Sequence, residues 1–458
     1  MVSAIEADLA SLLGTDSVVT GDAVREYLHD STEMQGLRGH ADAVVAPRDV
    51  EAVQAVVRWC CGRAVPIVPR GGGTGFAGGA VPEGGVVVSL EHLASVRAFE
   101  PESWRLHVDA GVTTSRVHRL ARESGLFYPP DPGASEQSQI GGNLACNAGG
   151  PHSFKYGVTR DWVTGVEVVV ADGELLHFGG ACRKDVAGYD LVSLLVGSEG
   201  TLGIITGAHL KLIPAPEVTI ALVAAYRSAA DGLAAVRRVY GFGLRSAVLE
   251  FLDASAVGAA GAAFPGGLPA ETAFLVLAEA DGRAPEAEAL ALSLEEALAE
   301  RAVHLAVLRS PAAQRELWRW RSGVSFAVAA RRGGKMSEDI AVPFDRLEEA
   351  LALGEEAGRQ AGLSTCSWGH AGDGNLHTTF LIDASSPEEV ARAAQAAEFL
   401  FAGTIALGGT VTGEHGLGLL KRAQLPRQLG IGEMRLQRAV KTAFDPRNLF
   451  NPGKKVTP

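Results

Sequence analysis

The stretch PRGGGTGFAGG, Pro69–Gly79, follows an apolar segment and decides how the first half of the chain is interpreted. Three of its glycines match the pattern G-x-G-x-x-G of dinucleotide-binding turns, but such a turn should open a helix. Here the strand-like VVVSL (86–90) follows, after further proline and glycine residues. The stretch therefore predicts a loop between strands whose backbone N–H groups form a nest for a pyrophosphate. A flexible linker is the alternative.

Two more glycine clusters lie in the same half, DPGASEQSQIGGNLACNAGG (131–150) and LLVGSEGTLGIIT (194–206). Each places glycine among Ser, Asn or Thr, and none carries a P-loop lysine motif. Ahead of the first loop, the segments ADAVVAP, RDVEAVQAVVRWCCGR and AVPIVPR predict a strand, a helix and a strand, which form a βαβ unit. Three glycine clusters in one domain predict a long ligand that is bound by the backbone of all three clusters.

The second half has a different pattern. Beyond a predicted domain boundary near Pro214 and Pro216, longer strands alternate with amphipathic helices. The order from VTIALVAAY (218–226) to VHLAVL (303–308) predicts an α+β layer of the ferredoxin-like kind. SEDIAVP (337–343) is predicted to be a strand, and STCSWGH (364–370) and NLHTTFLI (375–382) are predicted to be two strands joined by a short loop. We detect no internal repeat in the sequence.

The composition narrows the class of protein. The 458 residues are 47% hydrophobic, enough for two or three cores, and a net charge of −12 without a basic stripe argues against nucleic-acid binding. Five cysteines without a CxxC motif fit a reduced, cytoplasmic protein. The N-terminus predicts a short helix capped by Ser3 and Glu6 rather than a signal peptide. No uncharged apolar run approaches the roughly 20 residues that cross a bilayer.

The loop GHAGDGNLH (369–377) holds two histidines, His370 and His377, that a hairpin can bring to one point. Alone, such a pair is more typical of an ordinary surface hairpin. The segment GGTVTGEHGLG (408–418) adds Glu414 beside His415. Two imidazoles and one carboxylate with an open position form a ligand set of the catalytic zinc type, and manganese also suits these N/O ligands.

The three glycine segments, in this order, resemble the FAD-binding domain of the vanillyl-alcohol oxidase/p-cresol methylhydroxylase flavoproteins. GHAGDGNLH, GEHGLG and the terminal DPRNLFNPGK (445–454) resemble one branch, the D-2-hydroxyacid dehydrogenases. This branch includes D-lactate and D-2-hydroxyglutarate dehydrogenases and the glycolate oxidase flavin subunit. The resemblance covers about residues 40 to 455.

The resemblance implies an α+β fold in three parts. A two-part FAD-binding domain of the p-cresol methylhydroxylase type is expected at residues 1–217, with its core at about 39–217. A ferredoxin-like α+β substrate (cap) domain that carries the metal hairpin is expected at 218–408. A small helical C-terminal segment at 409–458 is expected to pack back on the flavin domain.

The resemblance also implies how FAD is bound. Some relatives attach the flavin covalently through a histidine of the first glycine loop, and that position is Thr74 here, so non-covalent FAD is expected. The implied cofactor-binding residues are Arg70, Gly71, Gly72, Gly73, Thr74, Gly75, Gly78, Pro130, Asp131, Gly133, Ala134, Ser138, Ile140, Gly141, Gly142, Asn143, Ala145, Gly149, Gly200, Ile205 and Asn451.

The chemistry implied by the resemblance is the oxidation of a D-2-hydroxy acid of the lactate, glycolate or 2-hydroxyglutarate class to the 2-oxo acid. His370, His377 and Glu414 are the expected ligands of a divalent metal, zinc or manganese, which lowers the pKa of the substrate hydroxyl. His415 is the expected general base. Hydride then passes from the α-carbon to flavin N5.

The bidentate fork of an arginine suits the α-carboxylate of a substrate. Arg321 and Ser325 lie four residues apart, on one face of a predicted helix that resembles the family's substrate-binding helix. A solvated helix charge is the alternative for Arg321. Relatives often place a lysine six residues before the proline of the next strand; that position is Ser337 here, and Lys335 lies two residues earlier on the same strand face. The expected substrate-binding residues are Arg321, Ser325, Lys335, Asn375 and Thr379.

Two other functions stay open at this point. One keeps the fold and the flavin with different chemistry, as in sugar-lactone oxidases or ether-lipid synthases, and the His₂Glu set argues against it. The other is a metal hydrolase without flavin, against which the glycine clusters argue. Because no cysteine-rich iron–sulfur segment follows, the expected electron acceptor is separate: an iron–sulfur protein, a quinone, a cytochrome or oxygen. A homodimer is compatible with the sequence.

Overall fold

The computed structural model describes residues 4–456, apart from the side chain of Met34. The chain forms two compact units. Unit 1 comprises Met1–Gly149, Val158–Pro214 and Glu414–Pro458, and unit 2 comprises Gly150–Gly157 and Ala215–Gly413. The three-part division at residues 217/218 and 408/409 stays a prediction. Ser3, the predicted helix cap, lies outside the described residues.

Unit 1 contains two β-sheets and a short β-ribbon. Its strands are β1 Val18–Val19, β2 Ala43–Val45, β3 Ile67–Arg70, β4 Val86–Ser89, β5 Val96–Glu100, β6 Arg105–Asp109, β7 Leu126–Phe127, β8 Val163–Val169, β9 Leu175–Gly179, β10 Ile204–Lys211 and β11 Ile213–Pro214. Its helices are α1 Ala4–Leu13, α2 Val50–Arg63, α3 Thr114–Glu123, α4 Ile140–Cys146, α6 Leu191–Leu195, α13 Leu425–Gln428 and α14 Ile431–Phe444.

The predicted strand, helix and strand at the start of unit 1 are present, with one addition. α2 begins after Asp49, whose side chain accepts a hydrogen bond from the backbone N–H of Ala52 at 2.7 Å, and it buries one face from Val53 to Cys60. β2 and β3 do not pair with each other, because β4 lies between them and is parallel to both. The first glycine loop therefore begins where β3 ends, at the carboxyl ends of the three parallel strands of a sheet whose fourth strand, β1, is antiparallel.

The second sheet of unit 1 has the strand order β5-β6-β10-β8-β9 and is antiparallel throughout. One of its faces is buried in a core with α3 and α4, which includes Val108, Val166 and Leu210. α4 begins within the second glycine cluster, and β10 begins within the third. Both clusters are therefore anchored to this core by the elements that start in them.

Unit 2 is built on one seven-stranded antiparallel sheet. Its strands are β12 Val218–Tyr226, β13 Val248–Leu252, β14 Phe274–Gly282, β15 His304–Leu308, β16 Gly334–Ala341, β17 Thr365–His370 and β18 Asn375–Ile382. Its helices are α5 Ser153–Tyr156, α7 Ala229–Gly241, α8 Ala254–Ala260, α9 Ala284–Ala299, α10 Pro311–Ala330, α11 Leu347–Ala361 and α12 Pro387–Ala406.

The strand order β15-β12-β14-β13-β17-β18-β16 contains a ferredoxin-like arrangement. β12, α7, β13, β14, α9 and β15 follow one another as βαββαβ, and their strands lie in the ferredoxin-like order. β16, α11, β17, β18 and α12 repeat the same connections, and a bridge between Ala341 and Thr410 stands where the last strand would be. The topology thus contains a repeat that the sequence does not show, since packing fixes hydropathy and not residue identity.

The two halves of the sheet join where β13 pairs with β17. α10 covers one face, on which its residues Leu317 and Val324 pack against Leu252 and Trp368. Further along β13, β17, β18 and β16 the residues of this face become polar. Among residues 4–456, no helix is long and apolar enough to cross a membrane.

Candidate active site

The glycine segments of unit 1 lie against one another. A Cβ added at Gly71 would lie 3.2 Å from the backbone nitrogen of Gly142, and one at Gly72 would overlap the carbonyl oxygen of Gln137. A Cβ at Gly200, in the third segment, would lie 3.2 Å from the proline ring that opens the first loop. Glycine permits such close approach of backbone. The structure therefore brings together three clusters that are far apart in the sequence.

Two buried polar atoms beside the first loop have no hydrogen-bond partner within the described chain, Oε1 of Gln139 and Oδ2 of Asp30. A Cβ at Gly71 would lie 3.7 Å from the former, and a Cβ at Gly75 would lie 3.8 Å from the latter. An unsatisfied buried polar atom costs about 1–3 kcal/mol. Burial also raises the pKa of the Asp30 carboxyl, which favours its neutral, donating form. These groups fit a polar ligand with donors and acceptors, such as FAD.

Arg70 was predicted to bind the cofactor, but its guanidinium makes contacts within unit 1. Nη1 donates to the carbonyl oxygen of His29 at 2.6 Å, and Nη2 donates to that of Glu26 at 2.8 Å. The guanidinium carbon lies 5.6 Å from the ring centre of Tyr27. Arg70 therefore anchors the segment that precedes β2, and its contact with a phosphate stays a prediction.

The side chains of the other predicted FAD-binding residues have different environments. Ile140 and Ile205 are buried in the unit 1 core, so only their backbone is available to a ligand. Thr114 links two more of them, since its Oγ1 lies 2.8 Å from Oγ of Ser138 and accepts from Nδ2 of Asn143 at 2.6 Å. The remaining residues are buried or half-buried, apart from the exposed Gly133: Gly73, Thr74, Gly75, Gly78, Pro130, Asp131, Ala134, Gly141, Ala145 and Gly149.

Asn451 ties the C-terminal segment to the glycine loops. Its Nδ2 donates to the carbonyl oxygens of Gly79 at 2.9 Å and Glu199 at 2.8 Å. Its Oδ1 accepts a hydrogen bond from Nζ of Lys454 at 2.6 Å. The amide side chain is thus engaged on both its oxygen and its nitrogen, and direct contact between Asn451 and FAD stays a prediction.

The turn that follows Glu414 and His415 is held by a buried carboxylate that sequence reasoning missed. Glu199 accepts hydrogen bonds from the backbone N–H groups of Leu417 at 3.0 Å and Gly418 at 2.7 Å. Glu199 lies in the third glycine segment, where only its neighbours had been singled out. Its contacts fix the backbone just beyond the predicted metal ligand and base.

His415 itself is stacked on Phe76 of the first glycine loop. The two ring centres lie 4.9 Å apart, with 28° between the ring planes. An aromatic ring held in this way has a restricted orientation. His415, Phe76 and the glycine loop therefore form one local arrangement in unit 1.

In unit 2, the two strands predicted on either side of the loop in GHAGDGNLH (369–377) are confirmed as β17 and β18. Their register sets His370 opposite Asn375 and Trp368 opposite His377. Residues directly opposite each other project to the same face, and His370 and Trp368 share a face because they are two residues apart on β17. The two histidine rings lie 5.5 Å apart between centres, at 86°. The hairpin thus brings both imidazoles to one point, as the sequence predicted.

Glu250 on β13 links His370 to Arg321 on α10. It lies opposite His370 in the sheet, and its side chain is fully buried. Oε1 is hydrogen-bonded to Nδ1 of His370, and Oε2 accepts from Nε of Arg321 at 2.8 Å and from its Nη2. Burial opposes ionisation of Glu250, but the charges of Arg321 and His370 outweigh it and lower the carboxyl pKa to about 2.

This pairing excludes the solvated-helix alternative for Arg321, whose side chain is only 13% exposed. Nε and Nη2 donate to Glu250, while the guanidinium has five N–H groups in all. The pair of N–H groups on Nη1 is not used by Glu250. Binding of a substrate carboxylate by Arg321 stays a prediction. Such a carboxylate would have to accept hydrogen bonds from the N–H groups on Nη1.

Asp339 on β16 is a second carboxylate that sequence reasoning missed. It lies opposite His377, with 3.9 Å between Oδ1 and Nδ1 of that histidine. It accepts hydrogen bonds from Nδ2 of Asn375 at 2.7 Å and Oγ1 of Thr412 at 2.9 Å. The buried Oδ1 of Asn375 has no hydrogen-bond partner among residues 4–456. Imidazoles, a carboxylate and an amide oxygen are donors that suit a divalent metal.

The strand that carries Lys335 begins earlier in the sequence than predicted. β16 starts at Gly334, three residues before the predicted SEDIAVP, because these residues pair with β18. Nζ of Lys335 donates to Oγ of Ser325 and lies 5.1 Å from the ring centre of Trp368. Burial lowers the pKa of Lys335 to about 8.

Next to it, Ser337 and Thr379 are opposite each other, with 2.8 Å between their hydroxyl oxygens. Ser325, Lys335 and Thr379, predicted to bind substrate from separate segments, are thus on or over the face that carries His377. Position 337 is thus occupied by one member of a neutral hydroxyl pair.

Comparisons with known proteins identify the family of the chain. A model of an FAD binding domain matches residues 41–179, and a model of FAD linked oxidases, C-terminal domain, matches residues 215–455. The fold and its glycine-lined region thus define an FAD-dependent oxidoreductase. The chain belongs to the FAD-linked oxidase family.

Three curated relatives cover nearly the whole chain. The glycolate oxidase subunit GlcD of Bacillus subtilis is 37% identical and covers 98% of this chain and 96% of its own length. A D-lactate dehydrogenase of Anaerostipes hadrus is 34% identical, covering 95% of this chain and 94% of its own. A D-2-hydroxyglutarate dehydrogenase of Xanthomonas citri is 38% identical, covering 90% and 88%. The predicted family is confirmed.

The solved structure of p-cresol methylhydroxylase with substrate bound has the same fold. The TM-score is 0.81 at 19% identity, and the match covers 100% of this chain and 98% of that one. This confirms the predicted fold class.

Proposed function

We propose that this protein oxidises a D-2-hydroxy acid to the 2-oxo acid, with non-covalent FAD and a divalent metal, zinc or manganese. The observation that carries the proposal is the convergence of His370, His377 and the Glu250–Arg321 pair on one face of the unit 2 sheet. Imidazoles suit a metal and an arginine suits an α-carboxylate, so this set of residues fits the hydroxyl and the carboxylate of a 2-hydroxy acid. The relatives named for glycolate, D-lactate and D-2-hydroxyglutarate support the same class.

Each group of residues has a separate task in this proposal. When bound, FAD would accept the electrons from the α-carbon, and a divalent metal at His370, His377 and Glu414 would acidify the hydroxyl. Arg321 would orient the α-carboxylate through its Nη1 edge. His415 would hold the hydroxyl proton as general base. The assignment of Glu414 as the third ligand rests on the sequence alone.

The glycine segments of unit 1 would hold the flavin. Their tight backbone packing leaves N–H groups rather than side chains along the loops, which suits a pyrophosphate. Oε1 of Gln139 and Oδ2 of Asp30 would gain the partners that they lack within residues 4–456. Thr74 in place of a histidine supports non-covalent attachment.

The residues that line the sheet fit substrates of more than one size. Lys335 could pair with a second carboxylate, whereas Ser337 and Thr379 would suit an uncharged tail. Lactate, glycolate and 2-hydroxyglutarate therefore all belong to the proposed class. Electrons would leave to a separate acceptor, and we propose a cytoplasmic location for the reaction.

The experiment is flavin reduction under anaerobic conditions. The purified protein is mixed with glycolate, D-lactate or D-2-hydroxyglutarate, with L-lactate as the control for the configuration at the α-carbon. We expect at least one D-acid or glycolate to bleach the flavin, chelation to stop the reaction, and added zinc or manganese to restore it. If none of these acids reduces the flavin, the proposed function is wrong. If the chelated, metal-free protein reacts at the original rate, the metal is not part of the reaction.

A further inference from the structure

We propose that Glu250 is a positioning residue that sets the orientation of His370 and Arg321 together, so that the metal ligand and the carboxylate-binding arginine are fixed by one side chain. This inference rests on the proposed function. None of the sequence motifs contains Glu250, which lies 120 residues before His370 and 71 before Arg321.

The position of Glu250 in the sheet makes it suited to this task. β13 pairs with β17 at the seam between the two repeats of unit 2, and Glu250 lies directly opposite His370 there. Its side chain is fully buried, while those of His370 and Arg321 are 6% and 13% exposed. A buried carboxylate with partners on both oxygens has little freedom to move, so its partners are held as well.

For His370, the contact selects the atom that faces a metal. Oε1 of Glu250 is hydrogen-bonded to Nδ1 of His370, so this ring nitrogen is already occupied. Nε2 is therefore the atom that would serve as metal ligand. A carboxylate behind a ligating histidine fixes its tautomer and its ring orientation, and loss of such a carboxylate typically weakens metal binding about 10- to 100-fold.

For Arg321, the same carboxylate fixes the plane of the guanidinium. Nε donates to Oε2 at 2.8 Å, and Nη2 donates to the same oxygen. The Nη1 edge is thereby directed away from Glu250 and has its two N–H groups for a second carboxylate. Without Glu250, Arg321 would keep its charge and lose this orientation.

Glu279 provides a matched control on the neighbouring strand β14. It is also a buried carboxylate, it is 5% exposed, and it accepts a hydrogen bond from Nε1 of Trp318 on α10 at 2.9 Å. No hydrogen bond or ion pair of Glu279 involves His370 or Arg321 among those that the structure shows. A general effect of removing a buried carboxylate near α10 should therefore appear in both Glu279→Gln and Glu250→Gln.

The experiment compares Glu250→Gln, Glu279→Gln and Arg321→Lys with the wild-type holoenzyme. The readouts are zinc or manganese affinity by titration, KM and kcat for the preferred acid, FAD content and melting temperature. We expect Glu250→Gln to bind metal about 10- to 100-fold more weakly and also to raise KM. Arg321→Lys should raise KM and keep the metal affinity. Glu279→Gln should leave both within about twofold, and FAD content should not change in any variant.

Loss of stability does not obscure this test. If Glu250→Gln fails to fold because Arg321 is left as an unpaired buried charge, the double variant Glu250→Gln/Arg321→Met removes both charges and should still bind metal weakly. Arg321→Met alone should bind metal normally. The inference is overturned if folded Glu250→Gln or the double variant keeps wild-type metal affinity, even when the melting temperature has fallen.

The two proposals fail in different ways. If the wild-type protein binds no divalent metal and oxidises none of the acids, the proposed function is wrong, and the role of Glu250 falls with it. If the wild-type protein does both and Glu250→Gln does so equally well, only the role of Glu250 is wrong.

Discussion

At the scale of single residues, the histidines of the proposed site divide between holding a metal and taking a proton. His370→Ala and His377→Ala should each release the metal and abolish turnover, because each removes one coordination position. Glu414→Ala should behave in the same way. His415→Ala should retain metal and flavin and slow flavin reduction by roughly 10²- to 10⁴-fold, the usual loss for a general base. The loss should become smaller at high pH, where the substrate hydroxyl ionises more readily.

Metal content by mass spectrometry and stopped-flow flavin reduction measure these two effects separately. His92→Ala, at an exposed histidine of unit 1, is the control for removing an imidazole. If His415→Ala loses metal as readily as His377→Ala, then His415 is a ligand and not the base. If all four variants stay fully active, the histidine pair belongs to an ordinary hairpin.

Lys335 gives a prediction about pH and stability. Burial lowers its pKa from 10.5 to about 8. The folded protein therefore disfavours the charged lysine more than the unfolded chain does. This cost is fully present below about pH 8, and it disappears as the pH rises toward 10.5. The free energy of unfolding of the wild type should rise across this window relative to Lys335→Met, in which the group cannot titrate.

Thermal or urea unfolding of both proteins between pH 7 and pH 10.5 measures this difference. Comparison with Lys335→Met removes the contributions of all other groups, provided that they titrate alike in both proteins. A difference that stays constant over the window would show that the pKa of Lys335 is not lowered by folding.

At the scale of elements, the turn after His415 depends on glycine. Gly418 has φ +46°, and a Cβ there would overlap the carbonyl oxygen of Ala77. Gly418→Ala should therefore destabilise unit 1 by about 1–3 kcal/mol and disturb the backbone that Glu199 holds. Gly432, in the first turn of α14, has open space around its Cβ position. Gly432→Ala should be neutral or should stabilise by up to about 1 kcal/mol.

Melting temperature and flavin retention distinguish the two substitutions. Gly418→Ala should melt earlier and lose FAD more easily, whereas Gly432→Ala should not. Equal melting temperatures for the two variants would contradict the tight approach of the turn to Ala77. The comparison uses the same chemical change at both sites, so the difference reports the surroundings of each glycine.

The hairpin shows how much of an element is determined locally. Its two strands and its loop were predicted from alternation and from the glycines of GHAGDGNLH, and they form where expected. The start of β16 was predicted three residues too late, because Gly334 to Met336 have no strand pattern of their own. They become strand because β18 is long enough to pair with them.

At the scale of the whole molecule, the cofactor can be tested directly. Because Thr74 stands where some relatives carry a flavin-linking histidine, FAD should be bound without a covalent bond. Acid precipitation should release the flavin into the supernatant, and its absorbance there should account for all the flavin of the native protein. Yellow colour that stays with the precipitate would contradict this prediction. Thr74→Ala serves as a control, since it should release flavin in the same way.

The sequence alone determined the features that local patterns and motifs encode: the family, the fold class, the glycine loops and the histidine pair. These depend on residues close together in the chain, where hydropathy period, turn chemistry and spacing act. Even the separate glycine segments could be assigned to one ligand, because each has the same backbone requirement.

Only the tertiary structure decided which further side chains contact the predicted site residues. Glu250, Asp339 and Glu199 lie in strands or glycine segments whose pattern indicates burial and not a partner. Glu250 and Asp339 lie opposite histidines on neighbouring strands, and Glu199 contacts a turn that is distant in the sequence. No local sequence pattern encodes these contacts. Arg321 shows the same limit: the sequence could not exclude a solvated charge, because only the fold sets a buried carboxylate 71 residues away against it.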